Sequence, residues 1–343
     1  MTKKTTIYDI AKRLDITAAT VSRALNNNSK ISAATRELVF KTAKEMNYEQ
    51  NKLALALKSG KSYNVGVIVP RIDTNFFASV IRGIEEELYP KGYHVIICQT
   101  HDQQNLEIEN INSLLNAQVD GVLMSISNAK IEKDTSFNKL IKKNVPLIFF
   151  DRKKDIHGVS SVTIDDFKGA YDATNHLINQ GYKRIAHLSN NRSLQIFQNR
   201  YLGYKQAIID NGLEFDESLV IETISKVVEG RKTTKIFLDM DNRPDAIFSS
   251  SDFTALGAIQ EIKANGLKIP EDISVVGFSN EPFTKFMELS ITSVDQSPIQ
   301  MGRIAAQVFL EEVNSKGEKT EKHIVLAPEL IVRKSSQKLS QLV

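Results

Sequence analysis

Few residues of this chain stand at spacings that support catalytic or metal chemistry. The stretch SGKS at 59–62 ends like a phosphate-binding loop, but that loop needs a glycine where the chain has Leu55. The stretch DMDNRPD at 239–245 follows the pattern of a calcium loop, yet Pro244 stands where the turn needs glycine. The six histidines show neither HxxxH nor HExxH spacing, and GxGxxG is absent. We therefore predict no catalytic residues, no metal site and no cofactor.

A different chemistry is available in the stretch ITAATVSRALN at 16–26. If Val21, Ala24 and Leu25 face a core, the other face of a short helix carries Ala18, Ala19, Ser22, Arg23 and Asn26. Small side chains permit a close approach to a surface, and an arginine pairs bidentately with a guanine edge. This face fits the major groove of DNA. The alternative is a surface helix whose arginine is merely solvated.

A second group of polar residues follows predicted strands further along the chain. It lies in the segments PRIDTNFF, FFDRK, SSSDF and GFSNE. Ligands of open α/β sheets bind outside the carboxyl ends of the strands. These segments therefore predict a polar cleft for a small molecule.

The elements that must position the first group are three short helices. Each has an apolar stripe at helical spacing. The stripes are Ile7, Ile10, Ala11 and Leu14 in the first helix, Val21, Ala24 and Leu25 in the second, and Leu38, Val39, Ala43 and Met46 in the third. Thr17 and Ser32 are placed to cap the second and third helices. Helices with so short a break between the first two predict a helix-turn-helix.

The elements that must position the second group alternate between strands and helices from Tyr63 onward. The strand candidates are VGVIVP (65–70), YHVIICQ (93–99), DGVLMSI (120–126), PLIFFD (146–151), VTID (162–165), IAHLS (185–189), AIFSS (246–250) and ISVVGF (273–278). Nearly continuous apolar strands separated by amphipathic helices indicate parallel sheets covered on both faces. So long a stretch exceeds one sheet, so we predict two doubly wound subdomains.

Composition restricts where such a protein works. The chain has 343 residues, 41% of them apolar, with one cysteine and no run that approaches a membrane span. The N-terminus lacks the apolar region of a secretory signal, so we expect a cytoplasmic protein without a membrane partner. Residues 1–61 hold 12 Lys and Arg against 5 Asp and Glu, whereas the rest carries a net charge of −4. The basic excess suggests an anionic partner for the N-terminal end, or a solubilising basic head.

The same residues resemble a known family in their order along the chain. The segment TIYDIAKRLDITAATVSRALNNNSKISAATRELVFKTAKEMNY is similar to the DNA-binding head of the LacI/GalR bacterial transcription regulators. The similarity continues through GVIVPRIDTNFFASVIRGIEEEL, VDGVLMSIS, PLIFFDR, RYLGY, PDAIFSSSDFTALGAI, IPEDISVVGFSNEPF and TSVDQSPIQMGRIAAQVFLEE. The resemblance implies a helix-turn-helix domain at 1–49 and a hinge at 50–62. It further implies a periplasmic-binding-protein-like core at 63–343, built of two interleaved α/β subdomains that bind the effector and form the dimer.

The resemblance also implies contacts with DNA. Thr6, Tyr8 and Thr17 match positions that contact phosphates, and Ala18, Ala19 and Arg23 match positions that read bases, supported by Thr20, Ser22 and Asn26. In the hinge, Leu57 matches a leucine that wedges into the minor groove, beside Ala54 and Asn51. Asp15 replaces the usual glycine of the turn, and we expect it to accept a left-handed backbone. Gln50 replaces a usual proline in the hinge.

For the cleft, the resemblance implies an effector held by polar side chains at the strand ends. The implied contacts are Asp73, Thr74, Phe76, Asp151, Arg152, Asp166, Arg200, Phe248, Asp252, Asn280 and Gln296. Carboxylates, amides and an arginine suit paired hydroxyl groups, and an aromatic ring suits the apolar face of a sugar. Ser279 and Asn280 stand where many sugar-binding members carry acidic residues, which leaves the ligand class open.

The function implied is a transcription regulator, a repressor, whose operator affinity a carbohydrate-related effector controls. A homodimer with two heads predicts a pseudo-palindromic double-stranded operator. A regulator of the same family that a corepressor or a protein partner activates is the alternative. A periplasmic sugar-binding protein would have a signal peptide and no basic head, and an enzyme would need a reactive group of residues. The terminal KSSQKLSQLV is too short for an added tetramerisation helix.

Overall fold

A computed structural model of the chain describes residues 5–49, 60–127, 136–315 and 320–337. The chain divides into two compact units, Met1–Ser62 and Tyr63–Val343, which we call the head and the core. Within the described ranges, no helix is both long and apolar enough to cross a membrane.

The head contains the three predicted helices. They are α1 over Ile7–Leu14, α2 over Ala18–Leu25 and α3 over Ala33–Glu45. Both predicted caps are confirmed, because the Thr17 hydroxyl accepts the Thr20 N–H at 3.1 Å and the Ser32 hydroxyl accepts the Thr35 N–H at 3.2 Å. The turn between α1 and α2 is confirmed as well, since Asp15 adopts the left-handed conformation with φ of 55°.

The core of the head is small and is made by all three helices. Ile10, Val21, Ala24 and Val39 are fully buried in it. The prediction for Leu38 is wrong, because half of its side chain is exposed. Leu38 lies beside the buried face of α3 and not on it. Thr42 lies on that face, and its hydroxyl donates to the Leu38 carbonyl at 2.9 Å.

The core unit contains twelve strands in its described part. They are β1 Asn64–Val69, β2 His94–Gln99, β3 Gly121–Met124, β4 Leu147–Phe150, β5 Ser160–Ile164, β6 Ile185–Ser189, β7 Val220–Glu222, β8 Ala246–Ser249, β9 Ser274–Phe278, β10 Thr292–Asp295, β11 His323–Leu326 and β12 Glu329–Ile331. The eight predicted strands are confirmed within a few residues of their bounds. Of the other four, β12 falls in the strand-like segment ELIVR at 329–333, whereas β7, β10 and β11 were not predicted.

The helices of the core lie between these strands. They are α4 Asn75–Leu88, α5 Gln104–Asn116, α6 Ser136–Lys142, α7 Asp166–Asn179, α8 Gln195–Asp210, α9 Val227–Leu238, α10 Asp252–Ala264, α11 Phe283–Phe286 and α12 Pro298–Asn314.

Two six-stranded sheets form the two halves of the core. The first half has the strand order β11-β5-β4-β3-β1-β2, and the second half has β12-β10-β9-β8-β6-β7. The chain passes between the halves three times, because α12 and β11 return to the first half and β12 ends in the second. One edge departs from the predicted parallel sheets: β12 pairs antiparallel with β10, with Leu330 opposite Val294. The other strand pairs are parallel.

Glycines allow the covering helices to approach one another closely. A Cβ atom at Gly83 of α4 would lie 2.1 Å from the Ile299 carbonyl oxygen of α12. A Cβ atom at Gly203 of α8 would lie 2.1 Å from the Phe167 carbonyl oxygen of α7. Larger residues at these positions would push the helices apart. The helices that flank the carboxyl ends of the strands are thereby fixed in place.

Candidate functional site

The predicted reading face of α2 is exposed in the head. Ala19, Arg23 and Asn26 are exposed, whereas Thr20 and Ser22 are half-buried. The Arg23 side chain forms no hydrogen bond or ion pair with the described residues, so its guanidinium is available to a ligand. The Asn26 amide donates to the Ser22 carbonyl at 2.7 Å and so ends the helix.

Ala18 lies differently from the prediction of a fully outward residue. It is half-buried and packs against the core of the head, because it begins α2 beside the turn. The exposed part of the reading face therefore centres on Ala19 and Arg23.

The start of α1 holds two further residues that we predict to contact phosphate. The Thr6 N–H and hydroxyl both donate to the Asp9 carboxylate, at 2.8 Å and 2.7 Å, which caps the helix. Tyr8 follows with 72% of its side chain exposed, although tyrosine usually buries its ring. An exposed phenol beside a helix start is a suitable donor to a phosphate.

The hinge residues Asn51, Ala54 and Leu57 lie outside the described residues, so their predicted roles stay predictions.

In the core, polar residues from both halves meet at a cavity of about 230 Å³ at the carboxyl ends of the strands. Seven of the predicted effector residues line it. They are Thr74, Phe76, Asp151, Arg152, Arg200, Asp252 and Gln296. A second cavity of about 250 Å³ shares Asp151, Arg152, Leu194 and Ile196 with the first. The two cavities together form what we call the cleft.

Arg200 is the most enclosed cation of the cleft, with 3% of its surface exposed. Its Nε donates to Asp166 at 2.7 Å, Nη1 to the Ser250 carbonyl at 2.9 Å and Nη2 to the Gln296 side-chain oxygen at 3.2 Å. The guanidinium lies 3.6 Å from the centre of the Phe278 ring. Three of its five N–H groups are thus used, and one on each terminal nitrogen remains.

Burial and the Arg200 guanidinium shift the pKa of Asp166, the ion-pair partner of Arg200, in opposite directions. Burial raises the pKa of Asp166 to about 6, although the charge and hydrogen bond of Arg200 lower it. A buried carboxylate and guanidinium in contact stabilise one another once both are out of water.

A second acid-base group lies on the first half of the cleft. The Ser125 hydroxyl donates to buried Asp151 at 3.0 Å, and Arg152 Nη1 lies 2.6 Å from the Asp102 carboxylate. Burial raises the pKa of Asp151. Asp151 and Asp102 both have left-handed backbones, with φ of 59° each. Such conformations persist where the surrounding structure holds them, and they often mark functional sites.

The second half contributes a pair of buried acids. Asp252 accepts the Ser293 hydroxyl at 2.7 Å and the Glu281 N–H at 2.8 Å. Burial raises the pKa of Asp252 to about 7. Burial also raises the pKa of Glu281, although the backbone N–H groups of Asn75 and Phe76 and the charge of Arg71 lower it.

Four predicted effector residues do not line the first cavity. Phe248 is fully buried, because its side chain on β8 points into the interior of the second half. Its ring stacks on His187, with ring centres 4.9 Å apart. Asp73 is largely exposed and pairs with Arg71 at 2.7 Å. Asn280 donates to Asp295 at 2.6 Å and lines a separate groove. Asp166 lies beneath Arg200 and lines the second cavity instead.

Several lining residues were not among the predicted contacts. They are Arg71, Asp102, Asn190, Phe197, Phe253 and Glu281, with others. Asn190 follows β6 and Asp102 follows β2, so the strand-end rule would have found them. The phenylalanines that line the first cavity are Phe76, Phe77, Phe197 and Phe253, and Phe248 is not among them.

The lining also carries buried polar atoms without a hydrogen-bond partner. They include Thr74 Oγ1, Arg152 Nε and Thr223 Oγ1. Buried polar atoms are costly when unsatisfied, so their concentration here indicates a polar ligand. No group of His, Cys, Asp and Glu suited to a metal ion occurs among the described residues.

Comparisons with known proteins agree with this arrangement. Residues 6–51 match the family described as bacterial regulatory proteins, lacI family. Residues 62–331 match the family described as periplasmic binding proteins and sugar binding domain of LacI family.

Individual relatives match along nearly the whole chain. The regulator DegA of Bacillus subtilis is 32% identical, over 98% of this chain and 99% of its own. The structure of the regulator CelR in complex with cellobiose is 28% identical, with a TM-score of 0.73 over 97% of this chain and 100% of its own. The lac repressor dimer bound to operator is 24% identical, with a TM-score of 0.86 over 98% of this chain and 100% of its own, which shows the shared fold.

Proposed function

The chain belongs to the LacI family of bacterial regulatory proteins, and we propose that it represses transcription from a pseudo-palindromic operator until a small effector occupies its cleft. It is a DNA-binding transcriptional regulator and not an enzyme, as the members of that family are. Because operators lie in chromosomal DNA, we place its action in the cytoplasm. Two heads in a homodimer read the two half-sites.

In the head, the proposal rests on the exposed and unpaired Arg23. Its guanidinium pairs with a guanine edge in the major groove, while the Ala19 methyl contacts a thymine methyl. Thr6, Tyr8 and Thr17 hold the head on the phosphates, which fixes the register without reading bases. In the hinge, Leu57 wedges into the minor groove beside Asn51 and Ala54.

In the core, the arrangement of Arg200 carries the proposal. Arg200 keeps two N–H groups beyond its three hydrogen bonds and lines a cavity of acids, amides and aromatic rings, which suits adjacent hydroxyl groups. Each arginine of the cleft has its own carboxylate: Asp73 for Arg71, Asp102 for Arg152 and Asp166 for Arg200. Asp252 and Glu281 add further acid to the first cavity, so its lining carries no excess cation that would attract an anionic ligand. The effector class is a neutral, hydroxyl-rich molecule such as a sugar, as cellobiose is for CelR.

The DNA side is tested by selecting the purified protein against a random duplex library at fixed salt. We expect a pseudo-palindrome with a kinkable central step. Recovery of unrelated sequences, with and without added cell metabolites, would contradict sequence-specific binding.

The effector side is tested by titrating sugars into the protein–operator complex. Neutral mono- and disaccharides are compared with a sugar phosphate and a uronic acid. We expect a neutral sugar to release the operator, and response to the anionic sugars alone would overturn the assignment. A sugar that tightens operator binding would instead identify a corepressor.

A further inference from the structure

The second cavity of the cleft continues the first one along the ends of β3, β4 and β5. One of its walls comes from the ends of these strands and the residues that follow them, and the other comes from the start of α8 in the second half. Asp151, Arg152, Leu194 and Ile196 line both cavities, so a single molecule can occupy the two together. Each cavity alone is smaller than the roughly 300 Å³ at which small-molecule pockets begin, whereas the two together fall within the usual range.

Buried polar atoms without a hydrogen-bond partner are spread along both cavities. They include Thr74 Oγ1 and Thr223 Oγ1 in the first cavity, Arg152 Nε in the shared part and Ser127 Oγ in the second cavity. Ser127 has only 3% of its surface exposed, and its N–H donates to the Glu107 carboxylate at 2.7 Å, which holds its backbone in place. An unsatisfied buried hydroxyl is costly. A ligand confined to the first cavity would leave the Ser127 hydroxyl in that state.

The start of α8 offers further hydrogen-bonding groups to the second cavity. The Gln195 side-chain amide donates to the Asn199 side-chain oxygen at 3.1 Å. The Gln195 oxygen and the Asn199 amide nitrogen have no other partner among the described residues. A sugar hydroxyl both donates and accepts, so it complements such a mixture of groups.

The three cations that line the second cavity are already engaged. Arg152 is paired with a carboxylate of the first cavity, and Lys153 pairs with Asp155 at 2.5 Å. Lys154 Nζ lies 5.1 Å from the centre of the Phe137 ring. Two buried acids line the cavity as well. An anionic group would have to displace these contacts, so the second cavity suits a neutral group.

We propose that the effector has two linked sugar rings, that its second ring occupies the second cavity, and that Ser127 selects for this ring through a hydrogen bond to one of its hydroxyl groups. The first ring stays in the first cavity with Arg200, and the link between the rings lies beside Arg152. Ile126 and Ile164 are buried and line the second cavity, so they can cover the apolar face of the second ring. This inference rests on the proposed function, because it names the class of effector more narrowly.

The test compares disaccharides with their own monosaccharides in direct binding to the full-length protein. The panel contains glucose, galactose, cellobiose, maltose, trehalose and lactose, and isothermal titration calorimetry gives each affinity. We expect at least one disaccharide to bind more than about tenfold more tightly than either of its monosaccharides, since the second ring adds contacts of its own.

Variants of Ser127 assign this preference to the second cavity. Ser127→Leu places an aliphatic side chain in the cavity, so the disaccharide should bind no more tightly than its monosaccharide, whose own affinity should not change. Ser127→Ala removes only the hydroxyl and should weaken disaccharide binding about fivefold to tenfold, and it serves if the leucine variant folds poorly. The exposed control Ser113→Ala on α5 should change neither affinity. Thr74→Val in the first cavity should weaken both sugars by the same factor.

The outcomes separate the two-ring effector from the regulator assignment. A monosaccharide that binds as tightly as every disaccharide, or a disaccharide preference that both Ser127 variants keep in full, would overturn the proposal. Either result leaves a sugar-responsive regulator in place, because a sugar still binds. If no sugar of either size binds, the proposed effector class is wrong and the two-ring effector with it.

Discussion

The head and the core each present an arginine for a ligand, but they hold it in opposite ways. Arg23 is exposed and has no partner among the described residues, whereas Arg200 is buried with three hydrogen bonds and an aromatic ring beneath it. DNA approaches the head from outside and brings its own phosphates to orient the side chain. A small effector offers few contacts, so the core must position its arginine in advance.

This difference between Arg23 and Arg200 determines which variants change function without changing the stability of the fold. A side chain that is exposed to solvent before its ligand binds contributes little to the stability of its domain. A residue that is positioned in advance belongs to the fold, so its loss affects both properties.

We expect Arg200→Ala to lower the free energy of unfolding of the core by about 3–5 kcal/mol, because it leaves the buried Asp166 carboxylate without its partner. Effector response should be lost as well. Urea denaturation measures the first effect and operator release the second. Arg231→Ala is the control, since its pair with Glu261 is half exposed on the arginine side and should be worth less than about 1 kcal/mol. A loss below that value for Arg200→Ala would show that Arg200 is not part of the fold.

We expect Arg23→Ala to cost about 1–3 kcal/mol of base discrimination in each half-site, because a bidentate guanine contact is lost. The free energy of unfolding of the head, measured by thermal denaturation, should change by less than about 0.5 kcal/mol. Effector binding should not change. Binding to operators with single base changes gives the discrimination. Lys30→Ala, an exposed lysine of the following loop, should weaken binding equally for all sequences or not at all. Equal discrimination in Arg23→Ala and the wild type would remove α2 as the reading helix.

The residues of the cleft show how much of the site could be predicted from the sequence. The strand-end rule located Asp151 and Asp252 because position along a parallel strand determines where its end lies, whereas Gln296 was implied only by the family resemblance. The rule does not determine which way a side chain points within a strand. Phe248 therefore failed as a cavity residue: alternate strand residues face opposite layers, and its layer is the one that contains His187.

Edge strands were the other element that the sequence did not predict. β7 is only three residues long and ends in the exposed Glu222, and β11 alternates between exposed and half-buried residues, so both lack the continuous apolar run that identified the central strands. β11 also joins the first sheet only after the chain has crossed between the halves, and such pairing depends on tertiary contacts. Glu281 lies in the predicted cleft segment GFSNE, although the family resemblance did not name it as a contact.

The buried acids of the core give a pH effect that the exposed head should lack. Burial raises the pKa of Asp252 to about 7 from 3.8, so the folded core binds a proton that the unfolded chain releases. Its contribution to stability is therefore complete below about pH 4 and is lost as the pH rises through 7. Asp252→Asn is neutral throughout, and its amide can still accept the Glu281 N–H and donate to the Ser293 hydroxyl. Between pH 5 and 8 the wild type should lose more than about 1 kcal/mol relative to this variant in urea denaturation.

The control for that profile is Asp241→Asn, an exposed acid of the same half, which should remain parallel to the wild type at each pH. If the Asp252→Asn profile were parallel as well, Asp252 would be ionised in the folded core across this range.

The smallest effect comes from two helix caps of the head that are nearly identical. Thr17 accepts the Thr20 N–H at 3.1 Å and Ser32 accepts the Thr35 N–H at 3.2 Å, so replacement of either by alanine should cost about 1 kcal/mol of stability. A hydroxyl that accepts an N–H still has a proton to donate. The Thr17 and Thr20 hydroxyls lie 2.9 Å apart and either can donate, so the Thr17 proton can turn to a phosphate oxygen. Operator affinity, corrected for the folded fraction, should therefore fall for Thr17→Ala and stay unchanged for Ser32→Ala. Equal affinities for the two variants would mean that Thr17 only caps its helix, and Thr6 and Tyr8 would then be the predicted phosphate contacts that remain in the described head.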